Sequence, residues 1–405
     1  NYATAGLNAA GTKIQEKLGI KDSPELFYED TMKGGKNKNN KELVRVLVNN
    51  SSAIVDWLTE RGADLSELTS TGGQSVKRTH RPTGGSAVGP NIVAALSKTA
   101  ESEKIDIRKG TKAIALVKAK NRIVGVKVRE IDGKEYTIKA KAVIVATGGF
   151  GANAKMVEKY NPKLKGFGST NNPAIVGDGI IMVEKVGGAL VDMSEIQTHP
   201  TVVHNKTNMI TEAVRGEGAI LVNRDGKRFI DELETRDVVS KAILSQKGKS
   251  AFLIFDEDIR TKLKAADGYV KKGFAVEGTL EEIAAKIGTD AKTLEATLNK
   301  YNEAVKNKVD SEFNKKTLPK ELTGTKYYAI EVSPAVHHTM GGVRINTNAE
   351  VLGKNGRPIK GLYAAGEVTG GIHGANRIGG NAVADITIFG KIAGENAAIY
   401  SKSVK

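Results

Sequence analysis

Arginine and acid are interleaved through one stretch of the chain: Thr211-Glu212-Ala213-Val214-Arg215-Gly216, then Asn223-Arg224-Asp225-Gly226-Lys227-Arg228, then Glu234-Thr235-Arg236-Asp237. Solvated ion pairs of this kind are worth only about 0–1 kcal/mol each. Arg224, Asp225 and Arg228 are read that way; Glu212, Arg215 and Arg236 are not. His199 lies in Ile196-Gln197-Thr198-His199-Pro200, His337-His338 leads into Thr339-Met340-Gly341-Gly342, and His373 sits just ahead of Asn376-Arg377. A lone histidine is more often structural, which is the reading for His80 and His204. His199, His337 and Arg377 instead lie beside glycine turns at a domain junction, where small-molecule clefts form. Several donors converging in one cleft suit a dicarboxylate.

Glycine after a buried strand lets backbone N–H groups approach a phosphate or ribityl chain without a side chain in the way. Two segments have that form. Ala142-Val143-Ile144-Val145-Ala146 runs into Thr147-Gly148-Gly149, and Ile359-Lys360-Gly361-Leu362-Tyr363-Ala364-Ala365 runs into Gly366-Glu367. Each alone is equally a strand end that needs a flexible turn. In company with the donors above they suggest a nucleotide-type architecture.

The elements that must carry these groups follow from periodicity. Apolar residues recur at helical spacing from Lys41 to Arg61, with Gly62 where the helix would end. A loop rich in Gly, Ser and Thr continues to Ala87, and residues 91–103 read as an amphipathic helix. Residues 105–108, 113–118, 122–130 and 135–140 alternate like short strands, the last two joined by an Ile131-Asp132-Gly133 turn. The β-branched run 142–146 predicts a buried parallel strand. Residues 195–336 change character, with strands around 219–229 and 253–255 and charged helices from 280 to 305, and read as an insertion. Residues 381–398 predict a closing helix. The expected fold is α/β: a discontinuous Rossmann-like domain over 1–194 and 338–405, with an inserted α+β clamp domain at 195–337.

At 405 residues the chain is long enough for two or three domains. Hydrophobic residues make up 40% and charged residues 26%, with 45 glycines, a globular and turn-rich balance. No run of about 18 apolar residues is present, so no transmembrane helix is expected. Zero cysteines exclude disulfides, thiolate nucleophiles, iron–sulfur clusters and haem attachment within this chain. The formal charge of +15 suits an anionic partner, but its lysines are scattered rather than striped, and no nucleic-acid module stands out. The chain opens at Asn1 without an initiator Met or a signal-peptide pattern, as a fragment or a processed product would.

Several of these segments, taken in order, resemble the soluble fumarate reductases of the flavocytochrome c group. They are His199-Pro200-Thr201, residues 211–218, Thr235-Arg236-Asp237, residues 337–342, residues 366–371, and Gly374-Ala375-Asn376-Arg377-Ile378-Gly379-Gly380-Asn381. The similarity runs over essentially the whole chain. The family opens with a strand, a G-x-G-x-x-G turn and a second strand ending in an acid. This sequence starts after all of them, so the resemblance implies that the pyrophosphate cradle precedes Asn1.

What the resemblance implies is FAD-dependent reduction of fumarate to succinate. Hydride passes from flavin N5 to one alkene carbon and a proton to the other. Arg236 matches the proton donor, and Glu212 and Arg215 match the relay that restores its proton. His199, Thr211, Glu212, His337, Arg377 and Gly380 match the groups around the substrate. Guanidinium normally keeps its proton, with a pKa above about 12, so the transfer is expected to be transient and repaid at once by the Glu212–Arg215 pair. Non-covalent FAD is implied at Asn1, Ala5, Gly6, Ala113, Thr147, Gly148, Asp178, His338, Glu367, Ala382 and Val383. A sodium ion is implied at Thr339, Met340, Gly341, Glu367 and Thr369. The family also implies a haem or FMN module as electron donor and, with the absence of cysteine, an extracytoplasmic location. A related enoate reductase acting on urocanate or an acrylate is the first alternative, and a non-catalytic flavin-binding module the second. Two imidazoles together with Arg377 favour two carboxylates over one.

Overall fold

Tyr327–Thr339 is a thirteen-residue strand rich in aromatic and β-branched residues, a composition that fits a pleated surface covered on both faces. A computed structural model describes residues 3–404. The strand centres a five-stranded sheet in which Ala251–Asp256, Val276–Gly278 and Ile196–Val203 pair with it antiparallel, and Ile220–Val222 extends the order beyond Ala251–Asp256. Its register against Ile196–Val203 slips twice, between Ser333 and Ala335 and between Val336 and His338. The first slip falls at Pro334, which has no N–H for the ladder and is tolerated at such irregularities. The second falls at His337. An extra residue in one strand re-aims a side chain that regular alternation would send to the other face.

A six-stranded sheet holds the other half. Pro358–Ala364 pairs in parallel with Val143–Val145 and Arg122–Arg129, and antiparallel with Glu350–Leu352; Lys112–Ala119 and Glu135–Lys139 flank Arg122–Arg129. Two three-stranded sheets complete the set: Leu7–Asn8 with Thr79–Arg81 and Glu67–Thr69, and Leu190–Val191 with Gly342–Arg344 and Thr369–Gly370. Two large hydrophobic cores result, beside a small cluster of Ala10, Phe27, Met32, Val44 and Val48. One gathers buried residues from Leu7 to Val183 and again from Val336 to Ala397. The other runs from Val203 to Val332.

Several expectations need correction. The helical run 41–61 is two helices, Lys41–Asn49 and Ser51–Glu60. Asn50 and Ser51 break it, because their side chains bond back to the Val46 and Val48 carbonyls and compete with the helix ladder. The glycine-rich loop contains the strands Glu67–Thr69 and Thr79–Arg81, and the helix after it begins at Val88 and ends at Ser102. Residues 105–108 form no strand. Their alternation has no neighbouring strand to pair with, Ile105 and Ile107 stand 56% and 58% exposed, and the Ile105 N–H caps the preceding helix through Ala100 O. Of the run 142–146 only Val143–Val145 is strand, and only Val145 is buried, with Ile144 41% exposed. Within 219–229 the strand is Ile220–Val222 alone, ended by the Asn223–Lys227 turn. The last helix is longer than expected, Asn381–Ser403. No helix among the described residues is long and apolar enough to cross a membrane.

Candidate functional site

Each functional side chain is placed by a local rule. Glu212 and Arg215 lie three apart on the short helix Glu212–Gly216 and so share a face. Arg236 is the first residue of the helix Arg236–Leu244, where the positive end of the helix dipole adds to its own charge. His199 sits on Ile196–Val203, opposite Ala335, and the slip at His337 turns that ring toward it; the two imidazole centroids are 5.2 Å apart. Arg377 comes from the loop before the last helix and is held through its backbone.

Glu212 is the hinge of the cluster. Its Oε2 accepts from Arg236 Nε at 3.2 Å and lies 4.0 Å from Arg215 Nη2, while the Gly72 N–H donates to Oε1 at 2.7 Å. Gln197 ties the remaining pieces together. Its Nε2 donates to Asn376 Oδ1 and to Arg377 O, both at 2.7 Å, and its Oε1 accepts from Arg236 Nη1 at 3.3 Å. Thr211 precedes the short helix, and its N–H donates to Tyr269 Oη at 3.0 Å. The structure thus brings Arg236, Glu212, Arg215, His199, His337 and Arg377 into one buried neighbourhood. Gln197 and Gly72 were not singled out from sequence; Gln197 lay within the quoted histidine segment but carried no signal of its own, and the Gly72 contact is a backbone one that no sequence pattern marks.

The electrostatics are those of surplus positive charge in a dry place. Burial, Arg236 and His337 push His199 well below the usual imidazole value, and burial, Arg236 and Arg377 do the same to His337. Burial and the neighbouring Arg236 pull Arg377 down to about 9. Burial lowers Arg215 against the opposing pull of Glu212. Burial would raise Glu212, but Arg236 and Arg215 overcome it and hold the carboxyl below its ordinary value. His199 Nε2, Arg215 Nε and Nη2, and Arg377 Nε are buried with no hydrogen-bond partner among the described residues.

The cofactor candidates lie along the first core, and Asn1 falls outside the described residues. Ala5 and Gly6 lead into Leu7–Asn8. A Cβ at Gly6 would stand 2.5 Å from His80 O, so close strand packing already requires glycine there. Gly148 has φ +74, and a Cβ on Gly149 would stand 2.0 Å from Thr339 Oγ1, which brings the two strand-to-glycine turns and the end of Tyr327–Thr339 together. Thr147 Oγ1 lies against Gly179. Asp178 opens a helix and pairs with Lys112 at 2.8 Å, beside Ala113 on Lys112–Ala119. Glu367 accepts from Thr339 N–H at 3.0 Å and faces His338 Nδ1 at 3.5 Å. Gly380, at φ +90, begins the last helix against Asn8, and that helix has no side-chain cap. His338 Nε2, buried with no partner among the described residues, and the helix start at Ala382 and Val383, which has no side-chain cap among them, fit a cofactor that offers acceptors and an electron-rich edge. Thr339, Met340 and Gly341 are buried together, and Thr369 Oγ1 is spent on Gly366 O at 2.8 Å.

Arg228 corrects an expectation. It is buried rather than solvated, bonded to Glu232 Oε1 at 2.9 Å and to Asp310 Oδ2 at 2.9 Å, because the strand Ile220–Val222 and its turn fold it under the second core. Arg224 remains half-exposed and pairs with Glu331. His80 is buried as expected of a structural histidine, with Nε2 2.9 Å from Thr12 Oγ1.

The sequence matches the family described as FAD binding domain over residues 1–383. It is 51% identical over 402 residues to a fumarate reductase (cytochrome) from Shewanella frigidimarina, which covers 99% of this chain and 70% of the relative. It is 48% identical over 398 residues to an NADH:fumarate oxidoreductase of Klebsiella pneumoniae, covering 98% of this chain and 43% of the relative. Among solved structures, the open conformation of a flavocytochrome c3 fumarate reductase superposes with a TM-score of 0.82 at 44% identity, over 99% of this chain and 71% of that one.

Proposed function

The chain belongs to the fumarate reductase branch of the FAD binding domain family, and from that premise we propose that it reduces fumarate to succinate in the cleft between Arg236, Arg377, His199 and His337. The observation that carries this reading is the surplus of buried donors. Arg215 and Arg236 share one carboxylate, Glu212, and Arg377 has no acid within ion-pair reach among the described residues. Buried donors are normally satisfied, and a dianion would satisfy these and balance their charge together.

In this reading His199, His337 and Arg377, with Thr211 and Gly380 nearby, hold the two carboxylates. Negative charge builds on the carbon chain beside one of them as the alkene is reduced, and fixed cations in a water-poor cleft stabilise it most in the transition state. Arg236 gives its proton to the alkene carbon. Glu212, 3.2 Å from Arg236 Nε, returns one, and Arg215 resupplies Glu212. The Gly72 N–H fixes one carboxylate oxygen so that the other faces Arg236. Burial above all, with the charge of Arg236 adding to it, lowers the proton affinity of Arg377 and Arg215 in this cleft. Asn1, Ala5, Gly6, Ala113, Thr147, Gly148, Asp178, His338, Glu367, Ala382 and Val383 would hold FAD without a covalent link, and the bound flavin would supply the hydride. A sodium ion is expected at Thr339, Met340, Gly341, Glu367 and Thr369. Residues 1–194 and 338–405 form the cofactor-binding part and 195–337 a clamp whose closure excludes water. Electrons arrive from a haem or FMN module, and the enzyme works outside the cytoplasm.

The test is spectroscopic. The FAD-loaded protein, bleached with reduced viologen, is expected to recover its flavin absorbance on adding fumarate, with succinate as product. Flavin that stays reduced sinks the reading. Faster recovery with urocanate or methacrylate than with fumarate moves the substrate to an enoate with one carboxylate.

A further inference from the structure

The two imidazoles of the site each have one ring nitrogen engaged by the protein. His199 Nδ1 accepts the Thr201 N–H at 3.3 Å, which puts the ring proton on the buried Nε2. His337 Nδ1 lies 2.7 Å from Thr170 Oγ1. A threonine hydroxyl has one proton to donate, and two acceptors are within reach here: His337 Nδ1 at 2.7 Å and Val336 O at 3.3 Å. The carbonyl already receives the Thr170 N–H at 2.9 Å. The His337 contact is the shorter of the two, the length expected of a hydroxyl donating to a ring nitrogen that carries a lone pair.

We propose that Thr170 is a positioning residue that holds His337 as its Nε2–H tautomer, so that both imidazoles present N–H donors rather than lone pairs to a substrate carboxylate. This rests on the dicarboxylate reading of the site. His337 needs such a partner because it is the extra residue at the register slip and no strand neighbour orients it. The segment that supplies the hydroxyl is itself pinned to the slip: Val336 N–H donates to Gly168 O at 2.9 Å, and Asn171 Nδ2 donates to His337 O at 3.1 Å. Neither bond uses the Thr170 side chain. A neutral imidazole has one donor and one acceptor, and engaging the acceptor at one nitrogen decides what the other offers. With the opposite tautomer a lone pair would face the carboxylate. Nothing in the sequence around Thr170 marks it, since it lies in a Ser-Thr-Asn-Asn loop far from every quoted motif.

The experiment uses the FAD-loaded protein with nitrogen-15 in its six histidines. Imidazole nitrogen–proton correlation spectra, with His337→Gln assigning the resonance, are expected to give His337 as a neutral ring protonated at Nε2. A wild-type His337 protonated at Nδ1 overturns the proposal whatever the variants do. Thr170→Val keeps the shape and removes the donor; it is expected to mix the tautomers and to raise KM for fumarate about tenfold with kcat within about threefold. Thr170→Ser restores both the spectrum and KM. A Thr170→Val protein with wild-type KM and an unchanged ring spectrum also overturns it. A wild-type enzyme that fails to reduce fumarate would remove the proposed function while leaving the tautomer result readable by itself.

Discussion

Arg228, Lys315, Glu232 and Asp310 form a buried cluster beneath the second core, joined by Arg228 Nε to Glu232 Oε1 at 2.9 Å, Arg228 Nη2 to Asp310 Oδ2 at 2.9 Å and Lys315 Nζ to Glu232 Oε2 at 2.8 Å. Its two cations face two carboxylates. Around Glu212 the burial is similar but the balance is not, since Arg215 and Arg236 share one acid and Arg377 adds a third cation. The consequences for proton affinity are opposite. Glu232 and Asp310 overcome the burial of Arg228 and push it above the ordinary guanidinium value, whereas burial pulls Arg215 down and Arg377 to about 9. The clusters even touch, because Arg215 Nη1 donates to the Glu232 carbonyl. Buried charge that is balanced holds a fold together; buried charge left in surplus is held ready for something the chain does not contain.

Breaking the surplus cluster should cost activity and spare the fold. Arg236→Ala is expected to slow fumarate-driven flavin reoxidation by about 10³–10⁴-fold, with a urea midpoint close to that of the wild type because a repelling charge has gone. Loss within tenfold for either Arg236→Ala or Arg236→Lys would remove its assigned role. Breaking the balanced cluster should do the reverse. Glu232→Ala strands the buried Lys315 and leaves Arg228 with Asp310 alone, and is expected to lower unfolding stability by about 3–5 kcal/mol, while kcat per folded molecule stays within about tenfold. Urea unfolding and stopped-flow turnover on the same preparations separate the two outcomes.

Acid sharpens the contrast. Burial holds His80 down to about 4 and His199, His337 and His338 well below 6.5. The unfolded chain therefore binds more protons as pH falls below 6.5, and stability falls with it. His80 alone accounts for about 3 kcal/mol by the time pH reaches about 4, at about 1.4 kcal/mol per pKa unit. For Glu232, burial would raise the carboxyl, but Lys315 and Arg228 hold it at about 2. Its contribution is present above the unfolded value of about 4.5 and is lost only as pH falls toward about 2. Urea midpoints between pH 7 and 4 should drop progressively in the wild type and less steeply in His80→Gln, where His199, His337 and His338 still contribute. The smallest effect belongs to the exposed pair of Lys38 and Glu195, 2.7 Å apart: Lys38→Ala should leave both the urea midpoint and KM where they were.

Several elements were legible because local chemistry decides them. Helical spacing located both halves of 41–61, the Ile131-Asp132-Gly133 turn located a hairpin, and the strand-to-glycine segments located the turns that meet at Gly149. Where tertiary pairing decides, the pattern misled: residues 105–108 alternate without a strand beside them, and Arg228, four residues from Arg224 in one polar run, lies buried in an ion cluster. The hydrogen bonds from Gln197 to Asn376, from Gly72 to Glu212 and between Thr170 and His337 were illegible, since each joins positions more than a hundred residues apart.

Residue identities by themselves determined what chemistry was available: several cationic and imidazole side chains, no thiol, and glycine at the turns where a large group could approach. They also determined kinship, because long motifs in fixed order survive without coordinates. Only the folded chain decided which charges lost their water and which found a counter-charge. That outcome depends on how sheets and loops from distant segments close over one another, and a slip of a single residue at His337 is enough to turn a ring into the cleft or away from it.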